Sequence, residues 1–282
     1  MNPEPKNLSI GYSPCPNDTF IFYALTHGHV PLSGIAFKEP VLADVEQLNR
    51  WAMEEKLDVT KLSFHALGYK LDEYVMLSAG AALGRGCGPL LVSRDQGFVP
   101  GRHSRIAIPG THTTAALLLK LYAPGITETV VLRFDRIMEA VKCGDVDGGV
   151  IIHEGRFTYP EMGLHCVRDL GDWWEEETGY PIPLGCIAAR ASLDGSLIQE
   201  IDQGIRASLR WIREHPESGR DYIRSHAQEL DSRVIGSHIE LYVNDFSMRL
   251  GDEGMRAVRE LLRRGREHGI FPAEGRLQWV NG

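Results

Sequence analysis

The sequence predicts an α/β protein of two lobes that face each other across a cleft, the second lobe inserted into the first and joined to it by two crossover strands. Three observations predict it. Short apolar, β-branched runs bounded by glycine alternate with helical segments, which indicates βα units and mostly parallel sheets. A strand–turn–helix grammar near the start recurs midway. The last third of the chain turns helical, and those helices are expected to pack back onto the first lobe. The expected boundaries are residues 1–93 with 190–282 for the large lobe and 94–189 for the small one.

In chain order, residues 8–12 read as a strand, 13–18 as a polar turn and 19–25 as a helix. A helix, a turn carrying Asp58 and a strand ending at Ser63 follow. The glycine-rich run 80–88 precedes a strand at 89–92. A dinucleotide fingerprint has to follow a strand and open a helix, so NAD binding is rejected and the run reads as the connection into the crossover. The echo comes next: strand 105–108, turn 109–114, helix 115–122, then a turn with Asp145 and Asp147 and a strand ending at Ile152. Residues 179–185 resemble the returning crossover, followed by a strand at 186–189. Ile201, Ile205, Leu209 and Ile212 recur at helical spacing until His215-Pro216 stops the helix. Further helices are expected over 217–226, 232–244 and 253–268.

Composition narrows the function. A content of 43% hydrophobic and 24% charged residues is that of a globular chain with a substantial core. The net charge of −8, with acids and bases interspersed, argues against a nucleic-acid partner. Arg263, Arg264 and Arg266 read as a solvated helix face. Cys15, Cys87, Cys143, Cys166 and Cys186 are odd in number and lack metal or redox spacing, so they read as reduced thiols of a cytoplasmic protein. No signal-like stretch and no membrane-spanning segment is legible. A homodimer is left open.

The candidate chemistry centres on His153, at the exit of the strand 148–152. In open α/β sheets the ligand crevice lies beyond the carboxyl ends of the strands. An imidazole there suits a general base, since it accepts and returns a proton near neutral pH. The alternative is a histidine that caps the strand by bonding a backbone carbonyl. Gly110 to Thr114 form a turn opening a helix, where free N–H groups and hydroxyls suit a phosphate or carboxylate. The competing reading is plain N-capping by Thr111 or Thr113. Lys61 and Ser63, at the matching strand end of the first lobe, suit an anion and a hydroxyl, or else an ordinary surface. Cys15 between two prolines invites a nucleophile reading, but a shaped loop fits better. Asn17 and Asp18 are expected to cap a helix, Asn17 with the option of facing the cleft. His65 and His112 read as structural and solvent-facing. Glu154 need not orient the imidazole, and Arg156 suits either the cleft or a surface ion pair. Trp173 and Trp174 suit an aromatic wall or helix packing.

Taken together, several motifs stand in family order: residues 13–22, 60–63, 84–89 and 151–154, with Arg156 to Tyr159. On them the chain closely resembles the 1,4-dihydroxy-6-naphthoate synthases of the futalosine route to menaquinone. The resemblance implies the two-lobed type II periplasmic-binding-protein fold. It also implies conversion of cyclic dehypoxanthine futalosine to 1,4-dihydroxy-6-naphthoate with loss of dihydroxyacetone. The family's proton acceptor falls on His153, and its substrate contacts fall on Lys61, Leu62, Ser63, Thr113, Thr114 and Ala115. The implied partner is a small-molecule carboxylate substrate, and neither a metal nor an organic cofactor is implied. Two rivals are a non-catalytic solute-binding protein, for which no signal or lipobox is seen, and the related chorismate dehydratase of the same pathway.

Overall fold

Among the described residues the strands form two large sheets and a two-stranded one, Lys6–Leu8 parallel to Ile35–Phe37. The computed structural model describes residues 4–228, 231–272 and 274–281. Residues 1–3, part of the stretch read for a signal, lie outside the described residues. One sheet of seven strands runs Gln278–Trp279, Tyr74–Met76, Ile182–Arg190, Val59–Ser63, Ile10–Tyr12, Val41–Leu42, with Ala82–Gly84 also paired to Ile182–Arg190. The other, of five strands, runs Glu128–Val131, Arg105–Ile108, Gly148–Ile151, Leu90–Ser93, His165–Asp169. The strands that end at the cleft are buried along their length, as in Val59–Ser63 and Gly148–Ile151. That burial is why the second of them reads as an unbroken apolar run, while the first carries Lys61 in a buried position.

Two expectations about the lobes need correcting. Leu90–Ser93, assigned to the large lobe by the boundary at 93, lies in the five-stranded sheet, antiparallel to Gly148–Ile151 and His165–Asp169. Ile182–Arg190, assigned to the small lobe by the boundary at 189, lies in the seven-stranded sheet, antiparallel to Val59–Ser63. An apolar run bounded by glycine looks the same in either sheet, and only its partner strand tells them apart. These two strands also make the sheets mixed, whereas Ile10–Tyr12, Val41–Leu42 and Val59–Ser63 pair in parallel as expected. The single strand expected over 8–12 is divided at Ser9, whose N–H and hydroxyl both donate to Asp58 Oδ2 at 2.8 and 2.7 Å.

The helical tail forms as read. Gly195–Glu214 buries Ile201, Ile205, Leu209 and Ile212, and its Ser208 hydroxyl donates to Ile21 O at 2.7 Å across to the helix Pro16–Thr26. Arg220–His226, Ser232–Tyr242 and Gly251–Glu267 complete it. Trp174 is fully buried and donates to Pro181 O, so it packs a helix and is no aromatic wall. Trp173 meets Tyr122 edge to face.

The crossovers are the only β pairing among the described residues between the two connecting segments: Ile182 lies opposite Gly84, Pro183 opposite Leu83 and Gly185 opposite Ala82. Arg156 clamps the outgoing one. Its guanidinium donates to Gly88 O and to Asp169 Oδ2, both at 2.6 Å, which makes it an internal bolt rather than a cleft cation. Gly88 lies so close to Gly171 that a Cβ on it would come within 2.3 Å of the Gly171 backbone. Gly88→Ala should therefore lower the urea midpoint by an amount worth about 1–3 kcal/mol; an unchanged midpoint would show that the crossover yields at no cost.

Candidate active site

Each lobe contributes strand ends and helix starts to a single cleft of about 660 Å³. Lys61, Leu62 and Ser63 line it from the large lobe, Thr113, Thr114, Ala115 and His153 from the small one. Residues far apart in the sequence thus meet in one cavity. Ser13, Asn17, Asp18, His238 and Tyr242 complete its polar wall.

The floor is a buried ion pair. Lys61 Nζ lies 2.8 Å from Asp18 Oδ1, with both residues almost fully buried. The expected surface lysine is therefore an interior one. Asp18 does not cap its helix; its second oxygen accepts from the Ser13 hydroxyl at 2.8 Å and from the Ser13 N–H at 3.2 Å. Asn17 Nδ2 donates to Asp18 Oδ1 at 2.8 Å, which turns its Oδ1 to His238, whose Nε2 donates at 2.9 Å. Ser63 completes the edge, its hydroxyl accepting from Asn49 Nδ2 at 3.0 Å.

His153 is reached through a turn after Gly148–Ile151 in which its own backbone takes the left-handed region, φ +57°. Such a φ is uncommon for a residue with a side chain and is typical of functional turns. It swings the ring off the strand and into the cleft. The imidazole bonds no backbone carbonyl among the described residues. It packs on Phe134, lies nearly parallel to His238 with centroids 6.1 Å apart, and has Cys15 Sγ 3.5 Å from Nδ1. Burial, and then the nearby Glu154 carboxylate, push the Cys15 thiol well above its ordinary value. A thiol so held is protonated, so the pair is no thiolate–imidazolium nucleophile. Glu154 is buried without touching the imidazole.

The turn before Thr114–Tyr122 does hold an anion, but the anion is internal. Glu46, on the large-lobe helix Val45–Met53, accepts from Thr111 N, Thr111 Oγ1 and His112 N at 3.0, 3.0 and 3.1 Å. Thr113 caps the helix through Ala116 N, and Thr114 Oγ1 donates to Leu184 O at 2.6 Å. His65 is structural as read: its Nδ1 donates to Thr113 O at 2.9 Å, and burial lowers its pKa to about 4, keeping the ring neutral. What remains for a ligand at this helix start is the pair of first-turn N–H groups of Thr114 and Ala115, two residues that line the cavity. Sequence reasoning missed Glu46, His238 and Tyr242. The signal for the last two was a histidine on the buried Ile235, His238, Tyr242 face of a helix, a polar group where only a partner makes burial tolerable.

A profile described as menaquinone biosynthesis matches residues 8–267. A protein of Thermus thermophilus named 1,4-dihydroxy-6-naphtoate synthase is 52% identical over 273 residues, covering 97% of this chain and 99% of that protein. The chain belongs to the 1,4-dihydroxy-6-naphtoate synthase family. A Streptomyces coelicolor protein of the same name is 46% identical, covering 95% of this chain and 96% of its own. A solved protein of Archaeoglobus fulgidus superposes with a TM-score of 0.87 at 37% identity, over 94% of this chain and 98% of that one. The periplasmic aliphatic sulphonate binding protein SsuA of Escherichia coli superposes at 0.64 and 13% identity, over 99% and 95%. The latter likeness is one of fold alone, and it establishes the periplasmic-binding-protein-like architecture. Membership of this family makes the chain an enzyme of menaquinone biosynthesis.

The framework of the site is open to two tests. Asp18→Ala strands a buried ammonium and should destabilise the chain by about 3–5 kcal/mol in urea unfolding; a loss under about 1 kcal/mol, the range of an exposed pair, would mean that water reaches Lys61. Burial raises the Glu46 carboxyl, but the hydrogen bonds from His112 and Thr111 outweigh it and hold it below its ordinary 4.5. The stability this contact adds is accordingly present above pH 4.5 and lost as pH falls through the lowered value. Glu46→Gln should show a smaller drop in urea midpoint between about pH 7 and about pH 3 than the natural chain. Equal drops would assign the acid sensitivity elsewhere.

Proposed function

We propose that this chain converts cyclic dehypoxanthine futalosine to 1,4-dihydroxy-6-naphthoate with release of dihydroxyacetone, and that His153 is the general base. The observation that carries the reading is that His153 lines one cleft with Thr114 and Ala115, the residues that open the small-lobe helix. An aromatic carboxylate suits their amides, because N–H groups at a helix start favour negative charge. The ring that bears it then lies between the lobes, with its reacting carbon toward His153.

In this mechanism His153, in its neutral form, removes a proton from the spiro-fused substrate. The electron pair left behind forms the new ring double bond as the bond to the sugar fragment breaks, and the expelled fragment takes up a proton. Aromatisation makes the sequence strongly downhill. The closed lobes hold the reacting carbon near the imidazole and exclude water, which converts binding energy into orientation. The Lys61–Asp18 pair fixes the cavity floor. A biosynthetic enzyme acting on such a soluble intermediate belongs in the cytoplasm, and among the described residues no helix is long and apolar enough to cross a membrane.

Incubating the purified chain with cyclic dehypoxanthine futalosine and, separately, with chorismate tests the reading. The naphthoate product should form from the first only; binding without chemical change would favour a solute carrier. His153→Ala should abolish turnover while largely sparing substrate affinity, and near-normal turnover would remove the base. Thr114→Pro deletes one amide at a position where proline suits a helix start and where Thr113, at φ −75° and ψ 148°, already has the backbone a proline requires. Thr114→Val loses only the hydroxyl. Substrate affinity should fall about tenfold further in the proline variant than in the valine one; equal affinities would remove the carboxylate from this helix.

A further inference from the structure

One buried polar group in the cleft has no task in the mechanism above. His238, on Ser232–Tyr242, is fully buried, and its ring forms part of the cavity wall near His153. Its two nitrogens are not equivalent. Nε2 faces Asn17 Oδ1, which can only accept, so Nε2 carries the proton. The orientation of that amide is itself fixed, because Asn17 Nδ2 is spent on Asp18 Oδ1 and Asp18 is held by Lys61 and Ser13. The ion pair on the cavity floor thus dictates the tautomer of an imidazole that it does not touch. Nδ1 is left as a bare lone pair, buried and without a partner among the described residues. Burial, followed by the neighbouring His153 and Lys61, pushes the ring well below its ordinary value, so it stays neutral.

A buried acceptor with nothing to accept from is costly, by about 1–3 kcal/mol. Such a group calls for a partner that the described residues do not supply, and His238 lines the cavity that takes the ligand. A carboxylate cannot be that partner, for it has no proton to give. A hydroxyl can. We infer that His238 is a substrate-binding residue whose Nδ1 accepts a hydrogen bond from a hydroxyl of the substrate's sugar part, the fragment expelled in the reaction. The inference rests on the proposed function, and it divides the cleft by chemistry: N–H donors at Thr114 and Ala115 for the carboxylate, a lone pair at His238 for the polyol. It makes His238 a determinant of specificity, because an analogue lacking that hydroxyl leaves the acceptor unpaired.

The product lacks the sugar, and that separates this role from a structural one. In His238→Phe, substrate affinity measured on a His153→Ala background should fall about tenfold, the worth of one hydrogen bond to a buried neutral acceptor. Affinity for 1,4-dihydroxy-6-naphthoate, measured by titration of the same chain, should stay within about twofold. His238→Asn, whose Oδ1 can stand where Nδ1 stood, should recover most of the lost substrate affinity. Parallel loss of product and substrate affinity would overturn the inference in favour of a packing role. So would unchanged substrate affinity in His238→Phe, or an Asn variant no better than the Phe one. Turnover of the natural chain on cyclic dehypoxanthine futalosine reports separately on the underlying function, so failure of one claim is not mistaken for failure of the other.

Discussion

The Lys61–Asp18 ion pair is the interaction on which the cleft depends. An ammonium and a carboxylate withdrawn from water are tolerable only when they face each other and their remaining hydrogen bonds are made. Here Ser13 and Asn17 make those of the carboxylate. Ser13 sits in the turn after Ile10–Tyr12, Asp18 on the helix that follows and Lys61 within the neighbouring parallel strand. One electrostatic contact therefore ties three pieces of the large lobe to a common geometry. Through Asn17 it reaches a fourth, the helix of His238.

The second constraint is how the small lobe meets the large one. Glu46, His65 and Leu184 all bond the segment 110–114, so the helix start that lines the cleft is positioned by residues of the other sheet and its helices. Glu46 occupies the Thr111 and His112 amides of the turn and leaves those of Thr114 and Ala115 for the proposed carboxylate. This division has a physical logic. A carboxylate from the protein fixes the lobes in register, and in the proposed function the remaining donors of the helix start need not be assembled at the moment of binding. His153 enters the same space from a strained turn, and its φ of +57° is the local cost of aiming a ring across the gap.

Much of this was legible in the chain. Glycine-bounded apolar runs announced the strands because both faces of each are covered, and helical spacing of isoleucine and leucine announced the helix Gly195–Glu214. Reading Arg156 required more. As a sequence neighbour of His153 it suggested a cleft cation, whereas its partner Asp169 lies thirteen positions on and turns it into a crossover bolt. The turn Gly110 to Thr114 suggested a site for a ligand anion, whereas the anion that Thr111 and His112 hold is Glu46, 65 positions before Thr111.

The sequence by itself determined the class of fold, the strand ends and helix starts that line the cleft, and the family, because periodicity, turn residues and local motifs are short-range properties of the chain. Only the tertiary structure decided which sheet took Leu90–Ser93 and Ile182–Arg190, that Lys61 is interior, and which nitrogen of His238 bears its proton. Those are settled by partners brought from elsewhere in the chain, since strand pairing, burial of charge and tautomer choice are free energies of contact between residues that no local pattern relates.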